Sequence, residues 1–388
     1  MKHALLSASG ASRWLNCTPS ARLEERLPEN TSIYAEEGTL AHELADLTNK
    51  YNFSRDKMTK TKFNRVMTGL KENPLYSEEM EEHISEFCTY IREEFRQFKL
   101  ETKDPFISFE ERLDYSKYVP EGFGTGDAVI ITDGTLKLID LKYGKGVPVS
   151  AQDNKQLMLY ALGAYEKYGF LYDIDTIEMT IYQPRLDNID SYTMPVDELL
   201  EWANGELADK AKLAYDGAGE YKAGEHCKFC KAKAICRARA EENLKLQSYE
   251  YKTSELLSNG EIADILKIAE RLINWANDVN AYALSQALQG EKFEGFKVVE
   301  GRSTRKYADE NAVVEKLYTI GYSDDQLFEM KLIGVSSMEK LIGKRKFSEL
   351  IGEYVHKPKG KPTLAPTADK REEYNSAEYD FKDVVIEG

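Results

Sequence analysis

The sequence predicts an α/β protein: a small mixed β-sheet flanked by helices, with a helical extension toward the C-terminal end. The first observation is a hairpin. Asp133-Gly134 sits between Ala128-Val129-Ile130-Ile131 and Leu136-Lys137-Leu138-Ile139, and this dipeptide favours a tight turn because both positions tolerate positive φ. The second is a pair of further strand patterns, 175–183 and 190–194, placed after a helix expected over 151–168. The third is the segment from Tyr76 to Phe98, which gathers Ile84, Phe87, Cys88 and Ile91 on one face of an amphipathic helix.

The elements follow in order. Residues 7–26 read as a short helix that Ser7 or Ser9 can cap, running through Trp14, Leu15 and Cys17 toward Pro19. Residues 32–51 form a helix with Ile33, Leu40, Leu44 and Leu47 on one face, and it contains Glu37-Gly38-Thr39-Leu40-Ala41-His42. The run Phe106 to Leu113 alternates as a strand, the hairpin follows, and the two later strands lead into a helix over 196–215. Beyond that, 252–289 reads as two helices, Phe293 to Glu300 as a strand, and 308–352 as three short helices joined at Gly321 and Gly334. From Lys357 to Ala368 the chain is rich in Pro, Lys and Gly. The expected organisation is a core over 1–245, a mostly helical region over 246–355, and an extended or mobile tail over 356–388.

A chain of 388 residues with 42% hydrophobic and 31% charged residues has the composition of a soluble globular protein. No apolar run approaches the roughly 20 residues of a membrane span. Ala4-Leu5-Leu6 is too short for a signal-peptide core, so the cytoplasm is the expected compartment. The net charge of −15 weighs against a nucleic-acid partner, since backbone affinity comes from clustered Lys and Arg. An acidic chain can still carry a basic groove, and Lys228, Lys231, Lys233, Arg237 and Arg239 are candidates to line one. Five cysteines, an odd number with one tight cluster, point to a metal or cluster rather than a disulfide framework.

The chemistry concentrates around the hairpin. Asp127 opens the first strand and Asp140 closes the second, about equally far from the tip, so antiparallel pairing brings the two carboxylates together. Asp140 and Lys142 share a face of their strand while Leu141 points into the core. Two carboxylates suit a hard divalent cation, Mg²⁺ or Mn²⁺, and an ammonium beside it can orient or activate a water. Gln156 and Tyr160 lie four apart on the following helix, hence on one face. Cys227-x-x-Cys230-x5-Cys236 offers three thiolates in one compact loop.

Gly124-x-x-Asp127, Asp140-Leu141-Lys142 and Gln156-x-x-x-Tyr160, in that order, resemble the RecB-like branch of the PD-(D/E)XK nucleases. Gly38-x-x-x-His42 matches that family's helix preceding the core. Cys17 with Cys227, Cys230 and Cys236 is similar to the four cysteines of members of the AddB and CRISPR-associated exonuclease kind. The similarity spans roughly residues 5–240 and is strongest to phage and prophage members catalogued only as a domain of unknown function. It implies a restriction-endonuclease-like sheet and a metal-dependent DNA nuclease, acting as an exonuclease on single strands or duplex ends beside phage recombination or replication proteins, in a host cytoplasm. It implies that His42, Asp127 and Asp140 hold the cation, that Lys142 activates water, and that Glu110, preferred over Glu111, joins the carboxylates. It further implies that Gln156 and Tyr160 position DNA or the site itself, and that a four-iron, four-sulfur cluster takes the four cysteines, with zinc as the alternative. A non-cleaving DNA- or protein-binding module on the same fold, or an RNA substrate, are the competing expectations.

Overall fold

A computed structural model of the chain describes residues 4–28, 32–53, 58–102, 104–245, 258–299, 308–328 and 332–355. Near the N-terminus, Ser7 accepts the Gly10 N–H and caps a 3-10 turn, which leads into two short helices, α1 (Ala11–Asn16) and α2 (Ser20–Glu25). A single helix over 7–26 does not form. Cys17 leaves helical geometry at φ −137°, ψ 83°, and Pro19 at the junction has no N–H to continue the ladder.

Three helices follow: α3 (Ile33–Phe53), α4 (Lys60–Lys71) and α5 (Glu78–Glu101). On α3 the buried face holds Leu40, Leu44 and Leu47, whereas Ile33 is exposed. The sequence reading did not anticipate α4, which has no buried residue and starts at a Thr59 cap accepting the Lys62 N–H. On α5, Ile84, Phe87, Cys88 and Ile91 are all buried, and burial pushes the Cys88 thiol up to about 12, so it serves packing.

The sheet comprises β1 (Phe106–Asp114), β2 (Phe123–Ile131), β3 (Gly134–Leu141), β4 (Ile174–Gln183) and β5 (Asn188–Pro195), in that spatial order. β3 and β4 run parallel and the other neighbours antiparallel, because α6 (Lys155–Tyr168) carries the chain over between them. After β5 come α7 (Val196–Trp202), a π-helical turn (Ala203–Leu207) and α8 (Ala208–Asp216), so the helix expected over 196–215 carries one π bulge. Two apolar layers sandwich the sheet. Val129, Ile131, Leu136, Leu138, Ile177, Met179 and Ile181 pack with α6, α7, α8 and α1. Ala128, Ile130, Ile139, Leu141 and Tyr182 face α3 and α5. Every strand of the centre is covered on both sides, which is why it reads as continuous apolar sequence.

Next come α9 (Arg237–Leu244) and α10 (Asn259–Leu288). One compact unit runs through Gln286 and a second from Ala287, so the first does not end near 245 as expected. The reason is ionic: Asp278 of α10 pairs with Arg239 at 2.6 Å and Lys233 at 2.8 Å. Where two helices were expected over 252–289, the described part is the single helix α10. The second unit holds α11 (Glu310–Thr319), α12 (Asp324–Leu327), α13 (Val335–Ile342) and α14 (Lys344–Ile351), one more helix than expected. The strand expected from Phe293 is absent among the described residues; a turn at Glu294-Gly295, with Gly295 at φ 79°, interrupts it. The expected tail over 356–388 lies outside the described residues. No described helix is long and apolar enough to cross a membrane.

Candidate metal centre and cysteine cavity

The hairpin sets the site. Thr132 and Thr135 exchange backbone hydrogen bonds of 2.9 and 3.3 Å across Asp133-Gly134, with Gly134 at φ 91°. Pairing then runs from Ile131–Leu136 to Ala128–Ile139, and Asp127 and Asp140 are the residues next beyond that last pair. Asp127 Oδ2 accepts the Leu141 N–H at 2.7 Å.

Glu110 arrives by a different device. Ile107 and Phe109 pack on the α3/α5 side of the sheet, but Leu113, four residues on from Phe109, packs on the α6 side. Regular alternation forbids this. The slip is at Glu110, whose φ of 47° is unusual for a residue with a side chain, and the β1–β2 register skips the Glu110–Asp127 pair while continuing in step on both sides. β2 slips at the same place: Gly126 lies against Leu113 on the α6 side, yet Ala128 belongs to the α3/α5 side. Both carboxylates are thereby freed from the two regular faces of the sheet. Strain of this kind persists only where neighbours hold it.

His42 completes the group. Leu40, Ala41, Leu44 and Ala45 bury one side of α3, and the packing directs the imidazole so that Nδ1 lies 3.2 Å from Asp127 Oδ1. One ligand atom from each of His42, Glu110 and Asp127 falls within 4.8 Å of the other two. One nitrogen and two carboxylates at that spacing fit a hard divalent cation. The glycine before His42 plays no packing part, because a Cβ at Gly38 would meet nothing within 4 Å.

Asp140 stands beside this trio and is engaged elsewhere. It is buried, its Oδ2 is 2.9 Å from Lys142 Nζ, and its Oδ1 accepts from Gln156 Nε2 at 3.2 Å. Lys142 also donates to Gln156 Oε1 at 2.8 Å, and Gln156 Nε2 reaches the Tyr160 hydroxyl at 3.2 Å. Gln156 is fixed at the start of α6 by Asn154, whose side chain accepts the N–H groups of residues 156 and 157. Tyr160 is buried, and its ring covers Gly124, where any Cβ would come 2.5 Å from Cε1. The Gln156/Tyr160 pair thus holds the Asp140–Lys142 couple in place.

The electrostatics follow from this crowding. Burial opposes charging His42, yet Asp127 first, then Asp140 and Glu110, outweigh it and raise the imidazole to about 9. Burial and the neighbouring Asp127 push Glu110 up to about 7. Burial is also the largest influence on Asp127, but His42 and the Leu141 N–H more than offset it and hold the carboxyl below its usual range. Asp140 is raised by burial and by Asp127 against the pull of Lys142. Lys142, despite burial, is kept protonated by Asp140 and Asp127.

The four cysteines meet as well. Cys17, Cys227, Cys230 and Cys236 line one cavity of about 20 Å³, and the Lys222 N–H donates to Cys17 Sγ at 3.5 Å. Four thiols in one enclosure are a donor set for iron or zinc. Among the described residues, however, no three of these sulfurs converge within 4.8 Å. The neighbouring contacts are protein-made: Glu24, buried, takes Arg13 at 2.7 Å and the Lys231 N–H at 2.7 Å, and Thr18 donates to the Ala218 carbonyl at 2.7 Å. Lys233 and the buried Arg239, two of the cations expected to line a groove, are committed to Asp278.

Sequence reasoning missed Arg185. It pairs with Glu37 of α3 at 2.8 Å and lies 4.8 Å from the ring centroid of Tyr143, the residue after Lys142. Only the fold brings these three segments together, and no local signal announces it.

A family model described as "Protein of unknown function (DUF2800)" matches residues 3–372. A solved structure titled "Crystal structure of SSO0001" is similar at 15% identity over 59% of this chain and 96% of its own, with a TM-score of 0.22.

Proposed function

The chain belongs to the DUF2800 family, proteins of unknown function, and from its site we propose that it is a metal-dependent DNA nuclease on a restriction-endonuclease-like, RecB-like core. The reading has it hydrolyse phosphodiester bonds as an exonuclease at DNA ends or in single strands, alongside phage recombination or replication proteins. One observation carries it: His42, Glu110 and Asp127 converge within 4.8 Å beside the Asp140–Lys142 pair.

Those three residues would hold the cation, with Asp140 next to them. A bound Mg²⁺ or Mn²⁺ supplies Lewis acidity toward a phosphoryl oxygen and an acidified water. Lys142 stays an ammonium, so its part is to donate: it orients a water and offsets charge building on the phosphate. Gln156 holds the Lys142 head group at one point of its swing, and Tyr160 anchors Gln156. The cysteine cavity is read as the seat of a four-iron, four-sulfur cluster with a structural role, zinc being the alternative.

Incubation of single- and double-stranded DNA with the protein plus Mg²⁺ or Mn²⁺, against a chelator control, tests the reading. Metal-dependent fragments support it. Intact DNA that is nonetheless retained by the protein favours the non-cleaving module, to which the net charge of −15 gives some support. Fragments from RNA alone move the substrate class.

The cation must compete with a proton for His42, whose raised value means that the neutral, ligating form becomes dominant only above about pH 9. Mn²⁺ affinity measured by calorimetry is expected to rise roughly fiftyfold from pH 7 to pH 9 from this group alone. Below pH 7 the Glu110 proton adds a further loss. The metal-free fold shows the opposite sign: His42 stabilises it fully below its unfolded value of about 6.5, and that contribution disappears as pH rises through about 9. An affinity flat between pH 7 and 9 would contradict the assignment of His42 as a ligand.

A further inference from the structure

Between β3 and α6 the chain forms a loop, and its two halves are built differently. The far half is clamped. Gln183, buried at the end of β4, accepts the Val149 N–H at 2.7 Å and donates to the Val147 carbonyl at 3.3 Å. Asn188 donates to the Val149 carbonyl at 3.2 Å and to Gln183 at 2.7 Å, while Asp190 accepts from Ser150 Oγ and the Ala151 N–H at 2.8 and 2.7 Å. The near half, Gly144-Lys145-Gly146, is exposed, and a Cβ at either glycine would meet nothing within 4 Å. Among the described residues none of its three peptide N–H groups has a hydrogen-bond acceptor, and Lys145 has no ionic partner. Val147, at the junction, is 59% exposed.

This tip begins two residues after Lys142, so it stands at the margin of the metal centre. The charges nearest the centre are otherwise committed: Lys142 to Asp140 and Arg185 to Glu37. Among the described residues Lys145 is a cation there without an ionic partner, on a loop that side chains of β4 and β5 hold at its root. A lysine flanked by glycines and accompanied by unpaired N–H groups is suited to a phosphate, because the bare backbone admits a bulky anion close to both kinds of donor. An exposed apolar side chain alongside suits a sugar or base face.

Resting on the nuclease reading above, we infer that Gly144–Val147 is the guide for the strand being cut: Lys145 and the loop N–H groups hold a phosphodiester neighbouring the scissile one, and Val147 lies against the nucleotide between them. An acidic protein needs few such contacts if they are placed at the site itself, where the cation already offsets the carboxylates.

The test uses the full chain, a fluorescein-labelled single-stranded DNA oligonucleotide, and Ca²⁺ in place of Mg²⁺ so that binding is read by anisotropy without cleavage. Lys145→Glu is expected to weaken binding about tenfold or more and Lys145→Ala severalfold, and the alanine variant should lower the slope of log affinity against log salt by about 0.7, the loss of one single-strand phosphate contact. Mn²⁺ affinity should be unchanged in both, which separates a strand contact from damage to the centre. Lys267→Glu on α10, where among the described residues the lysine pairs only with Asp264, makes the same charge change elsewhere and should have little effect. Lys145→Glu binding within about twofold of the unsubstituted protein, or weakened no more than Lys267→Glu, overturns the guide. A protein that cuts DNA while Lys145→Glu binds and cuts equally removes the guide alone. If the unsubstituted chain neither binds nor cuts, the nuclease reading fails and the guide fails with it.

Discussion

Replacing Lys142 by alanine is expected to abolish DNA cleavage, with a rate loss of about a thousandfold or more, the usual cost of removing one preorganised donor aimed at developing charge. The side chain has no other task of comparable size. It is only 29% exposed, spans Asp140 at 2.9 Å and Gln156 at 2.8 Å, and its charge helps hold down the Asp127 carboxyl of the trio. Because Asp140 is buried, alanine leaves a carboxyl without its ion pair, and part of the effect could be lost folding. Lys142→Gln keeps a hydrogen-bonding group toward Asp140 and separates the two. If both variants melt cooperatively, retain Mn²⁺ and are inactive, the ammonium is the chemical requirement. Cleavage at the normal rate by either folded variant would remove Lys142 from the mechanism.

The second large effect is expected at the cysteines. Protein purified without oxygen should carry iron and absorb broadly in the visible, as thiolate-bound iron does, and Cys230→Ser should be colourless. Losing about 3 kcal/mol of metal-linked stabilisation would lower Tm by roughly 10 °C. Full unfolding is not expected, because Arg13 donates to the Phe229 carbonyl, Glu24 accepts the Lys231 N–H and Thr18 donates to the Ala218 carbonyl just after α8, which tie the N-terminal helices to the cysteine loop and its approach. The His42, Glu110 and Asp127 centre should therefore retain Mn²⁺ in the serine variant. A colourless preparation with one zinc per chain would replace the cluster with an ion and leave the structural role of the four cysteines intact.

How far the sequence could be read depends on which forces are local. Asp127 and Asp140 were legible because a two-residue turn fixes register, and register fixes which residues face each other. The buried faces of α3 and α5 were legible from helical period. Glu110 could be preferred over Glu111 only by resemblance, since alternation fails there: the strand changes phase at a left-handed residue, and nothing in Phe-Glu-Glu-Arg signals it. The opposite roles of the two glutamates are visible only in three dimensions, where Glu111 pairs with Lys167 of α6. Gly38 stands at the spacing of the resembled motif, yet a Cβ there would meet nothing within 4 Å, so the spacing carries no packing information. Helix α4 carries Phe63, Val66, Met67 and Leu70 at helical spacing, a legible stripe that the sequence reading passed over, and Met67 and Leu70 pack half-buried against the core. Arg185 and Asp278 act across 148 and 39 residues of sequence, to Glu37 and Arg239, and tertiary ion pairs of that reach leave no local pattern.

The centre itself is most directly tested by calorimetric titration of Mn²⁺ into the chelator-treated protein at pH 8, beside an Asp127→Ala variant whose melting shows it folded. One tight divalent site per chain is expected, lost or weakened at least a hundredfold in the variant, because Asp127 is the carboxylate that both His42 and the Leu141 N–H hold in place. Equal Mn²⁺ binding by the two proteins would mean that His42, Glu110 and Asp127 form a buried polar cluster and no metal centre.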